Sequence, residues 1–236
     1  MSDLKNKIAL VTGASSGIGL AITQCLLKQQ CRVIGIARDF SKSDLKNSLF
    51  EAHQLDLSKL DNTADLMKIL RKQHVFDFII HSAGSGLFGS IEQFSVSQID
   101  KHIKTNLTSA LVISHYLIPA MRLQKSGRIV FIGSESAVNA GKKGALYSSA
   151  KFGLRGLSQS LREDCSKDGI CVSLINPGMV RTAFFDQQTF KPGPQPSNAI
   201  EATDIANSVL HILRSNPDLV IDEINLSPRN KSIDFS

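Results

Sequence analysis

A chain of 236 residues with 42% hydrophobic content can bury one substantial core and is short for two domains plus a linker, so a single domain over residues 1–236 is expected. The charged fraction of 20% and the absence of a long like-charge run exclude extensive disorder. The net charge of +6 is scattered: the closest basic clusters, Arg71-Lys72 and Lys142-Lys143, are only pairs without interleaved aromatic residues, which excludes nucleic acid as the expected partner.

The first apolar run, Ile8–Val11, reads as a strand, and Thr12-Gly13-Ala14-Ser15-Ser16-Gly17-Ile18-Gly19 joins it to a helix predicted over Ile18–Leu27. Glycines between strand and helix permit a tight turn and close backbone approach to a pyrophosphate. The helix N-terminus adds unpaired amides and a favourable dipole. The GxxxGxG spacing differs from the GxGxxG of longer dehydrogenases, yet its place between strand and helix points to a dinucleotide held by Gly13, Ser15, Ser16, Gly17, Ile18 and Gly19.

The next strand, Arg32–Ile36, is followed by Ala37-Arg38-Asp39. In a dinucleotide fold this position chooses the cofactor, since an acid binds ribose hydroxyls whereas a guanidinium pairs with the 2′-phosphate. Arg38 therefore points to NADP(H); Asp39 beside it is placed to accept a ribose hydroxyl or to pair with a neighbour. Further strands are predicted at Phe76–Ile80, Arg128–Ile132 and Ile170–Ile175. Helical spacing recurs over Asp61–Arg71, Val96–Leu123, Tyr147–Cys165 and Thr203–Leu213. Such alternation predicts an α/β fold with a mostly parallel sheet and helices on both faces.

Ser58 and Thr203 read as helix starts and Gly169 as a helix C-cap. Residues 182–199, with Pro192, Gly193, Pro194 and Pro196, hold too many breakers for a helix interior and read as a loop that serves as a substrate lid. Cys25, Cys31, Cys165 and Cys171 form no CxxC pair and have no nearby His pattern, so no metal site is expected. Neither a secretory leader nor a membrane-length apolar run stands out, and a cytoplasmic protein without a membrane partner is expected.

Tyr147-Ser-Ser-Ala-Lys151 sets a phenol and an ammonium one turn apart on the same helix face, where the cation is expected to lower the phenol's pKa toward general acid/base use. Here the ordered motifs resemble the short-chain dehydrogenase/reductase family over about Lys7–Thr182. They are Thr12–Gly19, Asp56-Leu57, Ser82-Ala83-Gly84, Asn106, Ser134, Tyr147 with Lys151, and Asn176-Pro-Gly178 leading to Thr182.

The resemblance implies a single-domain, doubly wound Rossmann fold and a catalytic tetrad of Asn106, Ser134, Tyr147 and Lys151. Tyr147 would protonate a carbonyl oxygen that Ser134 also holds, as hydride arrives from the nicotinamide. Lys151 would tune Tyr147 and bind the nicotinamide ribose. Asn106 would position a water linking Lys151 to solvent. Asp56 and Leu57 would touch adenine, Ala83 and Gly84 the adenosine ribose region, and Pro177, Gly178, Val180 and Thr182 the nicotinamide and its phosphate. The family's spacing selects Ser134 over Ser136. Its partners would be a small carbonyl or alcohol substrate and further copies of the chain, as a homodimer or homotetramer.

Two departures stand out. His81-Ser82-Ala83-Gly84 replaces Asn-Asn-Ala-Gly, so bonds between central strands must be rebuilt and His81 is expected to be structural; Val220–Pro228 and a polar tail replace the Gly-Gly ending of many relatives. The substrate wall is expected from Ser85–Phe94, Ala137–Leu146 and Ala183–Pro196, with Phe88, Phe94, Leu146, Phe184 and Phe185 making it partly apolar. The competing reading is a cofactor-binding regulator of the same fold without turnover.

Overall fold

The computed structural model describes residues 3–235. In chain order the strands are β1 (Ile8–Thr12), β2 (Arg32–Ala37), β3 (Phe50–Gln54), β4 (Phe78–His81), β5 (Gly127–Ile132), β6 (Ile170–Pro177), β7 (Val180–Arg181), β8 (Phe190–Pro192), β9 (Ile200–Glu201), β10 (Glu223–Leu226) and β11 (Ile233–Phe235). The helices are α1 (Gly17–Lys28), α2 (Leu60–Gln73), α3 (Val96–Ile103), α4 (Ser109–Gln124), α5 (Ala145–Cys165) and α6 (Ala202–Arg214).

Seven strands form one parallel sheet in the order β3-β2-β1-β4-β5-β6-β10. This is the doubly wound Rossmann arrangement, and the order reverses between β1 and β4. Alternating side chains feed two cores. Ala9 and Val11 of β1, with Val130 and Ile132 of β5, face the layer built by α1 and α6, while Leu10, Ile129 and Phe131 face the layer of α2, α4 and α5. Burial on both faces explains why these strands read as continuous apolar runs. Strand β3 escaped that pattern because Phe50-Glu-Ala-His-Gln lies at the sheet edge, only partly buried and polar at alternate positions.

Several predicted boundaries move. Strand β4 begins at Phe78 because Asp77 turns aside, accepting from the Ile8 N–H (2.9 Å) and pairing with Lys7 (2.8 Å). Ser58 does not start α2: its N–H and hydroxyl bond Asp56, and Lys59 is the cap residue. Nor does Thr203 start α6, which is entered one residue earlier through a Glu201/Asp204 capping box. Gly169 does sit left-handed (φ 70°) before β6.

The long helix predicted over Val96–Leu123 is interrupted. Lys104–Thr108 forms a π-helical turn between α3 and α4, and Asn106 lies buried at its centre. Such an extra-wide turn shifts the register of the residues it carries and recurs at functional sites.

Candidate active site

The cofactor cradle is made first of backbone. Gly13 has φ +71°, and a Cβ there would stand 3.0 Å from Ala83 Cα. The turn after β1 thus packs directly on the turn after β4, at the crossing where such sheets bind ligands. A Cβ at Gly19 would lie 2.2 Å from the Gly13 carbonyl oxygen, so only glycine lets α1 begin this close to the turn. Ser15 and Ser16 complete the turn, and Ile18 packs against the core beneath α1. Thr182 faces Gly17, its methyl 3.4 Å from where a Cβ would stand. A glycine-lined helix N-terminus at a strand-order reversal fits a pyrophosphate.

Around this cradle Arg38 is exposed just beyond β2, and Asp39 is committed to Ser41, accepting from its N–H (2.7 Å) and its hydroxyl (2.8 Å). The Asp39 carboxylate therefore serves its own turn. Asp56 serves another turn through Ser58, with Lys101 and Arg38 nearby as favourable charges, while Leu57 is buried. Pro177 ends β6, Gly178 follows it, and Val180 is buried in β7.

At the His81-Ser82 departure, the Thr12 hydroxyl oxygen accepts from the N–H groups of Ser82 (3.1 Å) and Ala83 (3.0 Å), tying the end of β1 to the turn after β4. His81 stacks on Phe131, with ring centroids 4.6 Å apart and planes 12° from parallel, and meets Ser114 Oγ at 3.3 Å. Burial lowers its pKa to about 3, so the ring is a neutral structural element, as expected from sequence.

Across the switch point, the predicted tetrad converges. Tyr147 and Lys151, in the first two turns of α5, are both buried, and the Lys151 ammonium lies 5.7 Å from the Tyr147 ring centre. Lys151 Nζ donates to the Ile132 carbonyl at 3.0 Å. A Cβ on Gly84 would stand 2.9 Å from Asn106 Oδ1 and 3.6 Å from Lys151 Nζ, which brings Gly84, Asn106 and Lys151 to one point. Asn106 is fixed by accepting from Ser85 N–H (3.1 Å) and donating to the His102 carbonyl (3.0 Å).

Ser134 is held by its backbone. Its N–H donates to Asn176 Oδ1 (3.3 Å), while Asn176 Nδ2 donates to Glu223 (2.7 Å) and Asn225 (3.0 Å). Ser136 donates its N–H to Ser134 Oγ (3.1 Å), and the Ser134 hydroxyl hydrogen-bonds Tyr147, so Ser134 is the serine that meets Tyr147.

The electrostatics differ from the expectation that Lys151 draws the phenol's pKa down. Burial pushes Tyr147 up to about 12; the Ser134 hydroxyl pulls against this, and the Glu135 carboxylate adds to it. Burial likewise lowers Lys151 to about 8. Desolvation dominates both shifts because the two groups are buried away from water. At neutral pH Tyr147 is therefore a phenol and Lys151 an ammonium.

Those rings are Phe88, 4.9 Å from Tyr147 between centroids, Phe184 at 6.0 Å, and His102 at 6.1 Å. Phe190 joins Phe88 at 5.0 Å and Phe185 at 5.7 Å. Sequence reading missed His102, which is buried with Nε2 unpartnered and its pKa lowered to about 4 by burial and by Lys151. Its position one turn before Asn106 was the available signal. Asn176 was seen only as part of a motif, and its hold on Ser134 depends on β10, distant in sequence.

A Rossmann sheet with a glycine cradle on one side of its switch point and a buried Tyr-Lys-Ser group on the other defines a nucleotide-dependent oxidoreductase site. A profile of the short chain dehydrogenases matches residues 7–192. An uncharacterized oxidoreductase of Staphylococcus aureus strain N315 is 31% identical over 234 residues, covering 97% of this chain and 100% of the relative. A metagenomic short-chain oxidoreductase solved in complex with NADP is 32% identical, with a TM-score of 0.83 over 96% of this chain and 99% of that one. An aldohexose dehydrogenase of Thermoplasma acidophilum shares the fold at 21% identity, with a TM-score of 0.83 over 96% and 94% of the two chains. The chain belongs to the short-chain dehydrogenase/reductase family and is an oxidoreductase.

Among the described residues no helix is long and apolar enough to cross a membrane, and no cluster of metal-ligating side chains occurs.

Proposed function

We propose that this chain interconverts a small carbonyl compound and its alcohol with NADP(H), and that Tyr147 is the group that gives and takes the proton. The observation that carries this reading is the burial of Tyr147, Lys151 and Ser134 together beside the glycine cradle. Burying an ammonium and a phenol is unfavourable without a use for them, which weighs against a regulator that only binds cofactor.

Gly13, Ser15, Ser16, Gly17, Ile18 and Gly19 would hold the pyrophosphate, Arg38 the 2′-phosphate, Asp56, Leu57, Ala83 and Gly84 the adenosine half, and Pro177, Gly178, Val180 and Thr182 the nicotinamide half. When bound, NADPH supplies the hydride. Tyr147 donates its proton to the carbonyl oxygen, and Ser134 donates a hydrogen bond to the same oxygen as negative charge grows there. Lys151 stays protonated beside the resulting phenolate and stabilises it. Asn106, fixed in the π turn, would position a water linking Lys151 to solvent, the path by which the Tyr147 phenolate regains its proton.

NADP is preferred over NAD because Arg38 is exposed at the surface, without a hydrogen-bond partner among the described residues, whereas the neighbouring acid, Asp39, is occupied by Ser41. The test is turnover of a panel of aldehydes and ketones with NADPH and with NADH, followed at the reduced nicotinamide band. Arg38→Ala should weaken NADPH about 10- to 100-fold, the worth of charge-assisted bonds to a phosphate, and leave NADH unchanged. Equal affinities before and after the change refute the NADP assignment; cofactor binding with no carbonyl turned over refutes the enzyme reading.

A further inference from the structure

The segment after β10 does more than end the fold. Lys231 Nζ lies 2.9 Å from both carboxylate oxygens of Glu135, the residue that follows Ser134. On either side of Lys231 the segment is sewn to the lid. Asn230 donates its N–H to the Ser197 carbonyl (3.0 Å), and Asn198 Nδ2 donates to the Asn230 carbonyl (2.9 Å). Gly193 donates its N–H to the Ser232 carbonyl (3.0 Å). Strand β11 then pairs antiparallel with β8, setting Ile233 opposite Pro192 and Phe235 opposite Phe190. The lid's β8 has no other strand partner among the described residues.

Beneath this strap, Phe190 packs on Phe88 and Phe88 on Tyr147. The lid is also tied to the opposite wall, where Gln188 Nε2 donates to the Gly86 carbonyl (3.3 Å). The strap therefore reaches the reacting group by two routes, through rings from the lid and through charge from Lys231 to the turn that carries Ser134. Glu135 also lies against the loop after β6, with Oε2 3.4 Å from where a Cβ on Gly178 would be.

We propose that residues 228–235 are a strap that holds the lid closed over Tyr147, and that Lys231 is a positioning residue that latches the strap to Glu135 beside Ser134. The inference rests on the carbonyl-reducing reading above. Holding β8 against Phe88 keeps the aromatic wall over the phenol, which excludes water from the proton transfer. Pairing Glu135 balances the negative charge nearest the phenol. The charged and titratable groups facing Tyr147 are Lys151 on its own helix, His102 on α3 and Glu135 on the turn after β5. Lys231 faces Glu135 from the strap.

The pair is partly exposed, so its loss is a modest effect, about threefold. In Lys231→Met, amide exchange at Gly193 and Asn230 should quicken by about that factor, as expected for local opening of a part of the fold held by few contacts. KM for the carbonyl should rise in step while NADPH affinity holds. A chain ended at Ser227 should show the larger form of both effects, about tenfold or more, because the strand pairing goes too. The alkaline limb of the reduction profile, set by loss of the Lys151 ammonium, should move to higher pH in Lys231→Met, because an unpaired Glu135 carboxylate favours protonated forms near it, and return in Lys231→Met/Glu135→Gln, which a purely structural tether would not do. Unchanged exchange in both Lys231→Met and the shortened chain overturns the strap. A pH shift that survives Glu135→Gln overturns the latch. The exchange measurement needs no substrate, so if the unaltered protein reduces no carbonyl the function fails while the strap is still judged.

Discussion

At the turn after β1, where we propose the cofactor binds, the chain presents bare backbone, with Gly13 against Ala83 and Gly19 against the Gly13 carbonyl, and a single added methyl has nowhere to go. Facing it, the wall over Tyr147 is made of side chains from three separate segments: Phe88 after β4, His102 on α3, and Phe184 and Phe190 between β7 and β9, where β11 pairs with β8. In the proposed reaction the first region meets what every turnover shares, and its geometry is fixed by local sterics. In that reaction the second would have to admit and release a substrate, and it is assembled from side chains and hydrogen bonds between distant segments, which can open locally.

The contrast can be broken most forcefully at Lys151. Lys151→Met should lower the rate of carbonyl reduction by about a hundred- to ten-thousandfold, the range for a group that supports proton transfer. In the unaltered protein Lys151 is held at about 8, so reduction should decline as pH rises past 8 and the ammonium is lost. That limb should vanish in the variant, as a pH–rate series would show. Next in size is Gly19→Ala. Overpacking against a backbone oxygen costs about 1–3 kcal/mol, so NADPH affinity measured by nicotinamide fluorescence should fall about 10- to 100-fold. Phe88→Ala sharpens the other side. It should raise KM for the carbonyl and leave NADPH affinity alone, because the ring touches Tyr147 and the lid.

The smallest effect concerns the buried histidines. His81 and His102 are held at about 3 and about 4, below the ordinary value of 6.5, so the unfolded chain takes up their protons first. The neutral rings support the fold fully above pH 6.5, and that support is lost as pH falls toward 4 and then 3. His102→Leu removes a buried nitrogen without a partner and should stabilise the protein by about 1 kcal/mol at pH 7. Its acid unfolding curve should also be shallower. A steeper acid limb or a lowered melting temperature would show that Nε2 has a partner in solution.

The glycine turn after β1 and the exposed Arg38 after β2 were legible in sequence because they are local features. A glycine turn between strand and helix, and an Arg at the end of the second strand, are read from adjacent residues. The central strands were legible because burial on both faces makes them uniformly apolar, whereas β3, half exposed at the edge, shows no such signature. The π turn around Asn106 leaves the helical periodicity nearly intact, so Val96–Leu123 read as one helix. The grip of Asn176 on Ser134, the unpaired His102 and the Lys231–Glu135 latch each join residues far apart in the chain, and only the folded sheet brings them together. The direction of the Tyr147 shift was misread for a related reason. Spacing shows that a cation is near, but only burial shows that desolvation outweighs it.

The central claim is that Tyr147 supplies the proton while the cofactor cradle works independently of it. Rapid mixing of NADPH-loaded protein with a carbonyl that the unaltered chain reduces, compared with Tyr147→Phe, tests it most directly. The account predicts a single-turnover rate lower by about a thousandfold with NADPH affinity unchanged. Nicotinamide oxidation at an undiminished rate in Tyr147→Phe would contradict it.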